Sequence, residues 1–196
     1  MTTTMSAYVP VVVTREADGQ TTHQDLYSRL LKDRIVMIDG EIEPHMASVV
    51  VAEMLYLQSE DSSAPIKMYI SSPGGHITAG LSIVSTMGIV SCPVYIYAHG
   101  LVASMATVIA SSGEKGHRNV LPNTRTMLHQ ASSGMEGNVQ DMHIALDETM
   151  KLNEIVLGIL AKNCGKTVEQ MRESTIRDKW LSENDAVEFG IYDKIL

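Results

Sequence analysis

Ser104 stands in Gly100-Leu-Val-Ala-Ser-Met-Ala106, among small neighbours and where a strand-like run gives way to a helix-like one. A hydroxyl at that junction sits on a helix N-terminus, whose aligned peptide dipoles favour negative charge, so Ser104 is a candidate nucleophile. The GxSxG elbow is absent, because Val102 and Ala106 occupy its glycine positions. Upstream, Pro73-Gly74-Gly75 ends another apolar strand-like run. Backbone N–H groups of a Gly-Gly turn can converge on a developing oxyanion, since no Cβ blocks the approach. These two features make half of an acyl-transfer site, and the other half has to come from further along the chain. His129 closes a strand-like run, where a side chain projects at a rim. Asp178 lies in Ile176-Arg-Asp-Lys-Trp180, where a surface charge cluster is the simpler reading. With seven histidines and many serines in the chain, composition alone does not select a triad.

The elements that must position these groups are read from periodicity. Ile66 to Ser71 is an apolar strand, His76 to Ile89 a helix, and Pro93 opens a second strand, Val94 to Ala98, which runs through Gly100 toward Ser104. This is a βαβ unit with a glycine turn at each strand end, and in open α/β sheets the chemistry gathers at the carboxyl ends of strands. Before it, residues 1–24 read as a mobile tail with a short extended element, Tyr8 to Val13. Asp25 to Leu31 is a short helix, and Arg34 to Ile38 a strand ended by Asp39-Gly40. Glu43-Pro44 opens a helix whose buried face is Met46, Val49, Val50, Met54 and Leu57. After Ser104 come two strand-like runs, Arg118 to Leu121 and Arg125 to His129, and a loose stretch, Gln130 to Gly137. The longest helix, about 138–163, carries Val139, Met142, Leu146, Met150, Leu157 and Leu160 at spacings of three and four, with Asn153 in the gap. Thr167 to Gln170 and Ser182 to Asp185 are capping boxes opening two short helices. The result is a single α/β domain with one long projecting helix.

Bulk properties exclude several roles. A chain of 196 residues is one domain with a substantial core. A net charge of −8 with no run of basic residues excludes a nucleic-acid partner, which needs a basic patch. The apolar span Met87 to Ala110 contains Pro93, His99 and Gly100 and switches period, so it is not read as a membrane helix. The first residues lack the basic and apolar regions of a secretory signal, which places the chain in a reducing, cytoplasmic type of compartment, with Cys92 and Cys164 as buried free thiols. His76 and His99 have no second ligand at metal spacing, and structural or solvent roles are favoured for both. Gly165-Lys-Thr167 matches the tail of a phosphate-binding loop, but Leu160 replaces the earlier glycine and the segment follows a helix, so no ATP chemistry is assigned to it.

Several motifs carry a resemblance. Leu26 to Lys32, Ser71-Ser-Pro-Gly-Gly75 with Ile77-Thr-Ala-Gly80, Gly100 to Met105, Leu121-Pro-Asn-Thr-Arg125, Met127-Leu-His-Gln130 and Arg177-Asp178 resemble the Clp protease family in order and spacing, from about Val9 to Leu196. The resemblance implies a crotonase-like α/β fold of repeated ββα units with a protruding handle at about 125–165. It implies Ser104 as nucleophile, His129 as general base and then acid, Asp178 as the group orienting the imidazole, and the backbone N–H groups of Gly75 and Met105 as the oxyanion hole. It also implies self-assembly into heptameric rings, usually stacked as a tetradecamer, that enclose the serines in a chamber. An AAA+ unfoldase would dock at the rim, through a pocket including Leu55, Tyr69 and Ile89, and feed in unfolded polypeptides. ATP then belongs to the partner, and the chain itself carries no cofactor and no metal. Ala7 to Pro10 stands near the family's mature start, which makes residues 1–6 a short propeptide removed by self-cleavage.

Four departures from the family pattern bear on this. Ala131 replaces the usual proline after His-Gln and loosens the turn beyond the base. Ile176 replaces the acid that normally pairs with the arginine across the ring interface, which weakens the expectation of double-ring coupling through Arg177. Lys67 occupies a usually aromatic docking position, and Gly100-Leu-Val-Ala replaces Gly-Gln-Ala-Ala before the serine. Two alternatives stand beside the peptidase: a non-catalytic ring subunit that partners an active paralogue, and a crotonase-type acyl-CoA enzyme on the same fold.

Overall fold

The computed structural model describes residues 9–15, 21–132, 134 and 136–196; the proposed propeptide, residues 1–6, with Ala7 and Tyr8, lies outside them. The first elements are a two-stranded antiparallel sheet of β1 (Val11–Arg15) and β2 (Thr21–Asp25). The expected mobile tail is therefore partly ordered, because the backbone groups of each strand satisfy the other's. Asp25 caps α1 (Leu26–Lys32), its carboxylate accepting from the Ser28 N–H at 2.9 Å.

The body is a seven-stranded sheet among the described residues, flanked by helices. Strands β3 (Ile35–Asp39), β4 (Ile66–Ser72), β5 (Val94–Ala103), β6 (Arg118–Val120) and β9 (Lys194–Ile195) run parallel in that spatial order. Helices α2 (Pro44–Glu60) and α3 (Ile77–Ile89) connect the first three of them. Val36, Ile38, Met68, Ile70, Ile96 and Ala98 alternate onto one sheet face and are buried with Val50, Met54 and Ile83 of the two helices. The opposite face carries Lys67, Tyr69, Tyr95 and Tyr97, and the rings of Tyr69 and Tyr97 stack at 4.7 Å. On α2 the buried face is Ala47, Val50, Met54 and Leu57, whereas Val49, expected inside, points to solvent. The C-terminus of α2 is closed by Arg34, whose guanidinium donates to the carbonyls of Leu57 at 2.9 Å and Ala64 at 2.9 Å.

Gly100 does not end β5. Pairing with β4 passes from Ile70↔Ala98 to Ser72↔Val102, so β5 spends two more residues than its neighbour over that step. Gly100, with φ +63°, lies within this bulge, where a residue without Cβ is suited to the left-handed conformation. Beyond it, Leu101 to Ala103 pair with β7 (Arg125–Leu128). The bulge thus hands the strand from one set of partners to another just before Ser104. Strand β7 also pairs antiparallel with β8 (Lys179–Leu181).

Helix α4 (Met105–Ser111) is buried along its whole length. Helix α5 (Val139–Cys164) is capped at its start by Asn138 and at its end by Gly165 in the left-handed conformation. It buries only Leu157, Leu160 and Ala161, all near its C-terminus, while Val139, Ile144, Leu146, Met150 and Ile155 are exposed. Half of the apolar stripe read from the sequence therefore has no partner within one subunit. Helices α6 (Val168–Thr175) and α7 (Glu183–Phe189) begin with the two expected capping boxes. Arg118 of β6 is buried. It pairs with Asp193 at 2.5 Å and donates to the carbonyls of Asn163 and Gly190 at 3.0 Å each, so one cation joins β6, the end of α5 and the C-terminal segment. Cys92 is buried, whereas Cys164 is only half-buried, and burial pushes its thiol up to about 11.

Candidate active site

Ser104 lies between β5 and α4 with φ 55° and ψ −124°, a conformation rarely adopted by a residue with a side chain. Its N–H donates to the Met127 carbonyl of β7 at 2.9 Å, and Thr107 Oγ1 donates to the Val102 and Met127 carbonyls at 3.0 Å. These bonds tie the strained turn to both flanking strands, which is how such a backbone conformation persists. The strained strand-to-helix turn is present without its customary glycines. Small size is supplied instead by Gly74, which crosses directly beneath: a Cβ on Gly74 would lie 2.6 Å from Ser104 Cβ and 2.8 Å from the Ala103 carbonyl oxygen.

His129 follows the last residue of β7 and is carried to the same rim, because β7 pairs with the residues just before Ser104. Its Nε2 is 2.8 Å from Ser104 Oγ. Its Nδ1 is 3.5 Å from Asp178 Oδ1, and Asp178 leads into β8, the strand beside β7. An ionised carboxylate only accepts hydrogen bonds, so the proton of a neutral His129 is favoured on Nδ1, leaving Nε2 as the acceptor for the serine hydroxyl. The Asp178 contact is long and its side chain is 61% exposed, against 27% for His129, so the carboxylate holds the ring more loosely than the serine does.

Gly75 extends a single parallel bridge to Ile42, in which the Ile42 N–H donates to the Gly74 carbonyl and the His76 N–H to the Ile42 carbonyl, both at 2.8 Å. Parallel pairing of this kind turns the N–H of Gly75 itself away from Ile42. At φ +150° a Cβ there would stand 2.4 Å from the Ile42 carbonyl oxygen. Met105 is the first residue of α4, so its N–H has no carbonyl four residues earlier within the helix. The five groups read from the sequence therefore fall on the carboxyl ends of β4, β5 and β7 and the start of β8.

Beside Ser104 and His129 is a narrow apolar pocket whose walls include Ile77, Met105, Val108, Leu128, Val156 and Leu160. No motif marks it, because its walls come from elements far apart in the sequence. Ala131 forms another wall. The turn carrying it is not loose, since the Ala131 N–H, which a proline would lack, donates to Asn153 Oδ1 of α5 at 3.0 Å. The polar residue in the stripe of α5 therefore has a specific task.

The docking residues are less united. Leu55 and Ile89 are exposed on α2 and α3, whereas Tyr69 is on the sheet face opposite the one those helices cover. Ile176 is exposed and neighbours Arg177 and Asp178 around a groove that reaches His129; Arg177 forms no ion pair among the described residues. Among these residues no helix is long and apolar enough to cross a membrane.

The family model described as Clp protease matches residues 18–196. The chain belongs to the Clp protease family. It is 43% identical over 190 residues to a protein of Streptococcus gordonii called ATP-dependent Clp protease proteolytic subunit, with 96% of each chain covered. Proteins of the same description from Streptococcus pneumoniae and Streptococcus pyogenes are each 42% identical over the same length and coverage. Membership of the Clp protease family, together with the parallel sheet and its flanking helices, makes this the α/β fold that the motifs implied.

Proposed function

We propose that Ser104, His129 and Asp178 are the catalytic triad of this Clp-family serine endopeptidase, and that the Gly75 and Met105 N–H groups are its oxyanion hole. The observation that carries the proposal is the 2.8 Å contact between Ser104 Oγ and His129 Nε2, on a serine held in a strained strand-to-helix turn. Ser104 Oγ attacks the scissile carbonyl carbon as its proton passes to His129 Nε2. The carbonyl oxygen gains the negative charge, and the N–H groups of Gly75 and Met105 stabilise it. Collapse of this intermediate breaks the C–N bond, and His129 returns the proton to the leaving amine. Water, deprotonated by His129, then releases the acyl group from Ser104. Asp178 stabilises the imidazolium in both halves. No step calls for a metal or organic cofactor. The apolar pocket favours an uncharged aliphatic side chain before the scissile bond.

The family role is that of a compartmental peptidase within the ATP-dependent Clp system. The chain assembles into heptameric rings that stack through the exposed half of α5. An AAA+ unfoldase supplies ATP hydrolysis and delivers unfolded chains. Leu55 and Ile89 of one copy and Tyr69 of another supply the docking surface, since one subunit separates them. A cytoplasmic setting, or the equivalent organellar interior, fits this partnership.

Fluorophosphonate labelling followed by intact-mass analysis tests the triad. Wild type is expected to label on Ser104 alone, and Ser104→Ala not at all. Ser104→Ala and His129→Ala should each lower kcat by roughly 10⁴- to 10⁶-fold, with the double variant little worse, because members of a triad act as a unit. Asp178→Asn should lose less, given the long and exposed contact. A His129→Ala variant that kept most of its activity would refute the assignment. Turnover of an acyl-CoA thioester with no peptide hydrolysis would instead support the acyl-CoA reading.

A further inference from the structure

Ile77 also lines a second, larger and open groove of about 430 Å³, with Glu41, Gly75, His76, Thr78, Thr149 and Leu152 among the other lining residues. Its volume falls within the roughly 300–1,000 Å³ of small-ligand clefts. Gly75 contributes to its wall, so a peptide whose carbonyl points at the Gly75 N–H passes along its edge. Ile77 is common to both cavities. The two spaces therefore adjoin, within reach of neighbouring side chains of one peptide held at Ser104.

Their chemistry differs. The first is walled almost wholly by apolar side chains. The second has one carboxyl group, that of Glu41, and no lysine or arginine in its lining. The placement of Glu41 follows from the Ile42–Gly75 bridge. Ile42 is fully buried, and in an extended segment its neighbours project to the other side. Glu41 is exposed and forms no ion pair among the described residues, so its charge has no internal partner.

We infer that Glu41 determines specificity, accepting a lysine or arginine side chain of the substrate close to the scissile bond. This rests on the peptidase reading above. The apolar pocket selects an aliphatic residue, and the adjoining acidic groove selects a cationic one. The contact is solvent-exposed and its effect is correspondingly graded: a preference of about two- to fivefold, in the range of exposed ion pairs.

The test uses the full-length assembled protein and fluorogenic peptides with methionine before the scissile bond. A single Lys, Gln or Glu is placed in turn at each neighbouring position. At one position the wild type should rank Lys above Gln above Glu in kcat/KM, and the Lys-to-Glu ratio should shrink as salt is raised. Because a ratio between substrates is read, the result does not depend on how much of a variant folds. Glu41→Gln should bring the ratio close to one, and Glu41→Lys should invert it. A ratio that stays the same in Glu41→Lys at every position overturns the inference while leaving the peptidase reading in place. Absence of Ser104-dependent hydrolysis of every peptide would fail the peptidase reading itself.

Discussion

Ser104 and the groups around it show how little freedom the site has. The serine is strained at φ 55°, Gly74 leaves no room for a methyl group beneath it, and Thr107 bonds to both neighbouring strands. Ala131 is the informative exception. Where a proline would fix the turn through its ring, this chain fixes it through a hydrogen bond to Asn153. Asn153→Leu leaves a half-buried N–H without an acceptor, a loss of about 1–3 kcal/mol locally. Because Ala131 also walls the apolar pocket, the expected result is a rise in KM of several fold, with fluorophosphonate labelling of Ser104 largely kept. Adding Ala131→Pro to Asn153→Leu should recover part of the loss, since proline has no N–H to satisfy. Additive effects of the two changes in a double-mutant cycle would show that the bond does not hold the turn.

Among the elements, β5 does the most to build the site, because its bulge lets one strand serve two sets of partners. Further down the same sheet, buried Arg118, paired with Asp193, joins three segments distant in sequence. Burial by itself raises the Asp193 pKa, but the hydrogen bonds and charge of Arg118 outweigh it, and the carboxyl is held below its ordinary value of 3.8. A depressed folded-state pKa means the stabilisation is fully present above the unfolded value and lost as pH falls through the folded one. Asp193→Asn should cost about 1–3 kcal/mol near neutral pH, because the buried Arg118 guanidinium loses its charged acceptor. The difference from wild type should narrow as pH drops below 3.8. Urea unfolding across that range is the measurement, and a difference independent of pH would contradict the pairing.

For the molecule as a whole, the decisive surface is the exposed apolar face of α5 between Val139 and Ile155. Val139, Ile144, Leu146, Met150 and Ile155 are too many apolar side chains to leave in water along one helix without a partner. In the proposed assembly, stacking of two rings covers them. Replacing Ile144 and Met150 together by glutamate is expected to halve the particle mass by light scattering, from tetradecamer to heptamer, with each subunit still folded. An unchanged tetradecamer would show that ring pairing relies on another surface. Ile176 stands beside Arg177, where the family resemblance implies an acid pairing with that arginine across the ring interface, so the outcome bears directly on how the rings couple.

Much of this was legible in the residues. Strand and helix periods gave the βαβ unit, the capping boxes marked α6 and α7, and the junction at Ser104 with the Gly74-Gly75 turn suggested acyl transfer. Those signals are local: each depends on residues within a few positions of one another. The family motifs then singled out His129 and Asp178, which local chemistry had left among other candidates. What remained hidden depends on distance. The bulge at Gly100 reflects a register with β4, the bond from Ala131 to Asn153 spans from a turn to a helix, and Val49 is exposed because Ala47 takes the inward place. The apolar pocket and the acidic cavity are each walled by several separate elements, and a cavity has no sequence of its own. Periodicity reports which face of a segment is apolar, but only packing decides what that face meets, and so whether it becomes core, a substrate wall or a contact between rings.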